Sequence, residues 1–135
     1  MANRYPSLWP MVEDRWLGES VELDTDTDTD LREVDRIRTA VGGVAASPLQ
    51  HLGEAESIRA MQARAELAGS ILLTDDASAG DFARRRGLLV WDTCQLLADA
   101  HSMADVGCPE AYEILRRMRQ ADRAVRVPAD HRGVC

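Results

Sequence analysis

The chain has 135 residues, of which 45% are apolar, 29% charged and 4% aromatic, and its net charge is −7. That length suits a single domain with an aliphatic core, and the composition excludes a largely disordered chain. The acidic balance excludes nucleic-acid binding by bulk basicity, because such affinity grows with each cation that meets a phosphate, and it leaves room only for a local basic patch. The chain has no lysine, and its arginines cluster at Arg84-Arg85-Arg86 and at Arg116, Arg117, Arg119 and Arg123. Cys94, Cys108 and Cys135 are odd in number and show no C-x-x-C spacing. Neither a disulfide framework nor a zinc knuckle is therefore expected, and a reducing cytoplasm fits best. The opening "MANRYPSLWP" lacks a basic segment followed by an apolar one, and no apolar run reaches the roughly 18 residues that a membrane span requires.

In chain order, Trp9, Met11, Val12, Trp16 and Leu17 fall at roughly helical spacing after Pro10 and predict a short helix. "SVELD", Ser20 to Asp24, alternates like a strand and runs into an Asp-Thr repeat ending at Asp30. From Leu31 to Val41 the apolar positions Leu31, Val34, Ile37, Ala40 and Val41 recur at three and four, and Gly42-Gly43 ends that helix. A longer helix is expected from about Gly53 to Ala68, with Ala55, Ile58, Met61, Ala65 and Leu67 or Ala68 facing inward. "SILLT" reads as a short buried strand, Asp76 to Arg86 as a helix closed by Gly87, and "LLVW" as a second buried strand. Apolar runs of this length alternating with helices predict parallel strands covered on both faces. Asp92 or Thr93 caps a helix to about Val106, and Pro109 opens another carrying Ala111, Ile114, Leu115 and Met118 on one face. Residues 1–125 thus form one domain, with 126–135 expected to be a loose tail.

Two acidic features invite chemistry. The D-x-D-x-D pattern from Asp24 resembles the start of a calcium loop, with Asp35 at the twelfth place, but Thr29 stands where the sharp turn needs glycine. The plainer reading is an acidic turn whose last residues favour the N-terminal dipole of the following helix. "LLTDDASAGDFA" is the sharper signal. In a parallel α/β sheet the residues just beyond the strand ends converge on one crevice. Asp75 and Asp76 follow "SILLT" and Asp92 follows "LLVW", so two strand ends deliver carboxylates to one edge. Neighbouring carboxylates repel one another unless a cation or hydrogen-bond donors offset them, which makes a hard divalent ion a natural partner. One such aspartate serves equally well as a helix cap. Glu54 and Glu56 stand in the first turn of the preceding helix, where the dipole favours acids.

"LGEAESIRAMQARAELAGSILLTDDASAGDFARRRGLLVWDTCQLLADA" resembles the second half of a PIN domain, the metal-dependent ribonuclease fold of many bacterial toxin components. The similarity runs from about Leu52 to Ala121. It rests on the order and spacing of the "GEAE" helix, the "LLTDD" strand end, an A-x-x-x-A helix closed by Gly87, a short strand and a helix led by Thr93. The resemblance implies an α/β fold, a PIN-like three-layer α/β/α arrangement with a short parallel sheet. It implies a Mg2+- or Mn2+-dependent endoribonuclease, with Glu54, Asp75, Asp76 and Asp92 as metal ligands and catalytic acids. It further implies RNA as substrate, an antitoxin-like protein or a second copy of the chain as partner, and no membrane association. His51, His101 and His131 are expected to be surface residues rather than ligands.

The chain departs from the family in two places. PIN domains open with an apolar strand ending in a ligand aspartate, and "MANRYPSLWPMVEDRW" has no such form, so the resemblance implies an N-terminally truncated fold: either the coding start is misplaced, or this is a shortened relative with impaired metal binding and doubtful activity. Gly80 stands where relatives often carry arginine. An alternative of another class is a non-catalytic module working through the arginine-rich C-terminal helices. A receiver-like phosphoacceptor is disfavoured, since no lysine exists to follow a strand-ending aspartate.

Overall fold

A computed structural model of the chain describes residues 28–135. The helix expected near Trp9 to Leu17, the "SVELD" strand and Asp24 lie outside the described residues. Helix α1 (Asp28–Ala40) places Asp28 and Asp30 in its first turn. Helical backbone at these positions is incompatible with a calcium loop, whose fifth and seventh places they would occupy, and matches the plainer dipole reading. Val34 and Ile37 are buried on the inner face, and the chain leaves the helix through Gly42 at φ 108. There the amides of Gly42 and Gly43 donate to the carbonyls of Thr39 and Arg38, a left-handed turn that glycine adopts without a steric penalty.

Helix α2 (Leu52–Ala63) is shorter than the periodicity suggests. It stops at Arg64, whose extended backbone leads into a 3-10 turn at Ala65–Leu67, so Ala65 is exposed rather than inward. Ala55, Ile58 and Ala60 are buried, and Arg59 binds Asp30 of α1 at 2.6 Å, tying the two helices together. Strand β1 (Ile71–Leu73), helix α3 (Ala77–Arg85) and strand β2 (Leu89–Trp91) form one parallel βαβ unit. The register pairs Ile71 with Leu89, Leu72 with Val90 and Leu73 with Trp91. Gly87, at φ 80, closes α3: its amide donates to Arg84 and that of Leu88 to Ala83.

The described residues thus form a mixed α/β structure with a two-stranded parallel sheet and five α-helices. Its burial corrects the expectation of strands covered on both faces. Leu72 and Val90 point into a core with Val34, Ile37, Val41, Ala55, Ile58, Ala79, Phe82 and Ala83. The other face of the sheet leaves Ile71 42%, Leu73 52% and Leu89 55% exposed. Each strand therefore alternates, as a half-covered sheet requires.

A second cluster lies further along the chain. Helix α4 (Thr93–Ser102) and helix α5 (Cys108–Gln120) bury Cys94, Ala111 and Leu115 against Val134. The last ten residues correct two further expectations. Far from loose, 126–135 fold back over α5: Val127 and Val134 pack into the second cluster, and the Tyr112 hydroxyl donates to the Ala129 carbonyl at 3.4 Å. Cys108 and Cys135 form a disulfide with Cα atoms 5.6 Å apart, a pairing that sequence spacing did not announce. Cys94 is free and buried. Among the described residues no helix is long and apolar enough to cross a membrane.

Candidate functional site

The carboxyl ends of β1 and β2 lie side by side, so the residues after them open onto one cleft of about 170 Å³. Thr74, Asp75, Asp76, Gly80, Asp81, Arg84, Asp92 and Arg126 line it. Three of the four acids expected from the sequence meet here, and each arrives already engaged.

Asp75 turns toward the start of α4. Its Oδ1 accepts from the Thr93 amide at 2.9 Å and its Oδ2 from the Thr93 hydroxyl at 2.5 Å. This carboxylate binds the end of one strand to the helix that follows the other. Asp76 caps α3, with Oδ1 accepting from the Ala79 amide at 2.9 Å, while its own amide donates to Thr74 Oγ1 at 3.1 Å. Asp92 caps α4 in a reciprocal box: its Oδ1 accepts from the Gln95 amide at 2.7 Å, and the Asp92 amide donates to Gln95 Oε1 at 3.0 Å.

Capping leaves most of a carboxylate's charge to be met elsewhere, and here the two caps part. Arg126 grips Asp92 with Nε on Oδ2 at 2.7 Å and Nη2 on Oδ1 at 3.1 Å, a two-pronged pair that matches the planar fork to the carboxylate. Burial works against the charged form of Asp92, but the Arg126 hydrogen bond, the Gln95 amide and the nearby guanidinium charges outweigh it and hold the carboxyl below its ordinary value. The same contact holds the Arg126 guanidinium above its own. Among the described residues Asp76 meets no guanidinium in the same way. Its Oδ2 lies 3.2 Å from His51 Nδ1.

His51 sits at the N-terminal boundary of α2 in a left-handed conformation, φ 58 and ψ 16, which turns its ring back toward the strand end. Glu54 stands one turn on. Among the described residues, ligand atoms of His51, Glu54 and Asp76 all lie within 4.8 Å of one another. Glu54 therefore joins Asp76, as the sequence suggested, but on the α2 side rather than in the lining of the Asp75 and Asp92 cleft. Contrary to expectation, His51 is no mere surface residue: its side chain is only 18% exposed and belongs to this group. Its relation to Glu54 was visible as a three-residue step at a helix start, a weak signal on its own. His101 is elsewhere, with Nδ1 3.0 Å from the Val106 carbonyl, and His131 lies in a 3-10 turn. Arg126 carried no signal at all, because it lies 34 positions from its partner in a segment read as loose.

The donor set suits a divalent metal ion. Two carboxylates and an imidazole match the mixed oxygen and nitrogen ligation that manganese accepts, whereas magnesium favours oxygen ligands throughout. Arg84 and Arg126 in the cleft wall are cations of the kind that meet phosphate. Comparison of the chain with protein-family models, with curated proteins and with solved structures found no match.

Proposed function

We propose that the chain is a PIN-like, manganese-binding domain of the ribonuclease type, acting on RNA with low turnover. The observation that carries this reading is the meeting of His51 and Glu54 from the start of α2 with Asp76 from the end of β1, beside a cleft that also holds Asp75 and Asp92. His51, Glu54 and Asp76 would hold the ion. Bound there, a divalent metal supplies Lewis-acid stabilisation of a phosphodiester and a more acidic water. Arg84 of α3, paired with Asp81 at 3.2 Å, and Arg126, paired with Asp92 at 2.7 Å, line the cleft and would bring positive charge near a phosphate backbone. Low turnover follows from the engagement of the remaining acids. Asp75 has both oxygens on Thr93, and Asp92 has both on Arg126, so neither is a free general base. An antitoxin-like protein or a second copy of the chain is the partner this reading implies.

That same engagement favours a second reading, a non-catalytic RNA-binding module in which α5 and its arginines form the contact surface. Purified protein incubated with single-stranded and structured RNA and manganese separates the two, run beside an Asp75→Asn, Asp76→Asn double variant. Slow cleavage that vanishes in the double variant supports the nuclease-type site. RNA retention without cleavage, and with no manganese heat in calorimetry, supports the binding module and overturns the metal site.

A further inference from the structure

We propose that residues 126–135 are a redox-controlled latch on the strand-end cleft, closed by the Cys108–Cys135 disulfide and opened by a dithiol reductant. The latch deepens the reading above and rests on it only for the consequence at the metal site. The disulfide joins the first residue of α5 to a cysteine 27 positions later, so the intervening segment must return along the helix. On that return it does two things. Arg126 reaches across to Asp92 and places a guanidinium over the cleft. Val134 packs on Cys94, which is 1% exposed and has its sulfur 3.9 Å from the Gly133 carbonyl. The fold-back is tight: a side chain at Gly133 would collide with Pro128.

Without the crosslink the segment keeps few attachments. Two valines, the Tyr112 contacts, the Cys94 sulfur on the Gly133 carbonyl and an ion pair whose arginine is 54% exposed remain. The exposure of the arginine to water limits what this two-pronged pair contributes. The disulfide restrains the segment by limiting the loop it can open, and its removal shifts the balance toward local opening. Cys135 is exposed, which gives a reductant access. A thiolate of the dithiol attacks one sulfur, the S–S bond breaks, and the second thiol resolves the mixed disulfide. The reductant leaves as a cyclic disulfide, and the protein gains two thiols with two electrons and two protons. Opening then lifts Arg126 from Asp92 and uncovers Cys94.

Alkylation of Cys94 by iodoacetamide, followed by intact mass, reads the latch without reference to any metal. In the oxidised chain Cys94 should react at least about tenfold more slowly than in a Cys108→Ser, Cys135→Ser double variant, as expected when reaction requires local opening. Hydrogen exchange should show amides of 126–135 losing protection on reduction while those of α1 and α2 keep theirs. Equal Cys94 rates in the two proteins overturn the latch. So does loss of protection throughout the chain, which would make the crosslink a staple of the whole fold. Manganese titration separates the two proposals. Tighter binding in the double variant, and in oxidised Arg126→Ala with Cys94 still protected, supports both. No manganese binding in any form, with Cys94 uncovered on reduction, sustains the latch and removes the metal reading.

Discussion

Asp76 and Asp92 do the same local work at two neighbouring strand ends, yet they present different chemistry. Each caps the helix after its strand through Oδ1, at 2.9 Å and 2.7 Å respectively. The second oxygen of Asp92 meets Arg126, whereas that of Asp76 meets His51, with Glu54 close by. A capping carboxylate keeps its charge, so the group facing its free oxygen decides whether the position is closed or receptive to a cation. Asp92 is closed by a guanidinium from a distant segment. Asp76 is flanked by ligand atoms.

The largest test of this contrast removes the brace between the two ends. Asp75→Ala should cost about 2–3 kcal/mol, because it leaves the partly buried Thr93 amide without its charged acceptor. Urea unfolding checks this, with a lower midpoint and an unchanged slope. Asp76→Ala should cost about 1 kcal/mol through the lost cap. It should also abolish the manganese-induced rise in melting temperature. Asp76→Asn sharpens the point, since asparagine caps well but ligates poorly: stability should stay near the parent while the manganese response disappears.

At the other end, Asp92→Asn keeps the cap and loses the ion pair with a half-exposed arginine, so the cost should stay below about 1 kcal/mol. Its manganese response should persist. The smallest effect is in pH. The folded Asp92 carboxyl lies below its ordinary value of 3.8, so the contribution of Arg126 is complete above that value and is lost as pH falls through the depressed one. The stability difference between the parent and Arg126→Ala should therefore be constant near neutrality and close in acid below about pH 4. A difference that widened in acid would contradict the pairing.

The sequence made the βαβ unit readable because local signals agreed there: two short aliphatic runs, a helix between them and Gly87 as its stop. Asp75, Asp76 and Asp92 could be placed at one edge for the same reason. What it concealed depended on distant or one-sided contacts. A three-residue apolar run cannot reveal that Ile71 and Leu73 face outward while Leu72 faces in. The α2 helix ended early because Arg64 turned extended, which no glycine or proline marked. The segment 126–135 looked loose since its hold on the fold comes from Cys108, Tyr112 and Asp92, all well away in sequence. His51 is hard to place from sequence because its position in the group depends on a left-handed backbone that nothing in its neighbouring residues marks.

Paramagnetic broadening of the histidine ring signals during a manganese titration tests the proposed metal site at His51, Glu54 and Asp76 most directly. The chain has three histidines, at positions 51, 101 and 131, so each ring can be followed separately. The His51 ring signals should vanish first, at substoichiometric manganese, while those of His101 and His131 remain sharp, and Asp76→Asn should remove the selectivity. Uniform broadening of all three rings, or none at millimolar manganese, would contradict it and leave His51, Glu54 and Asp76 as structural neighbours only.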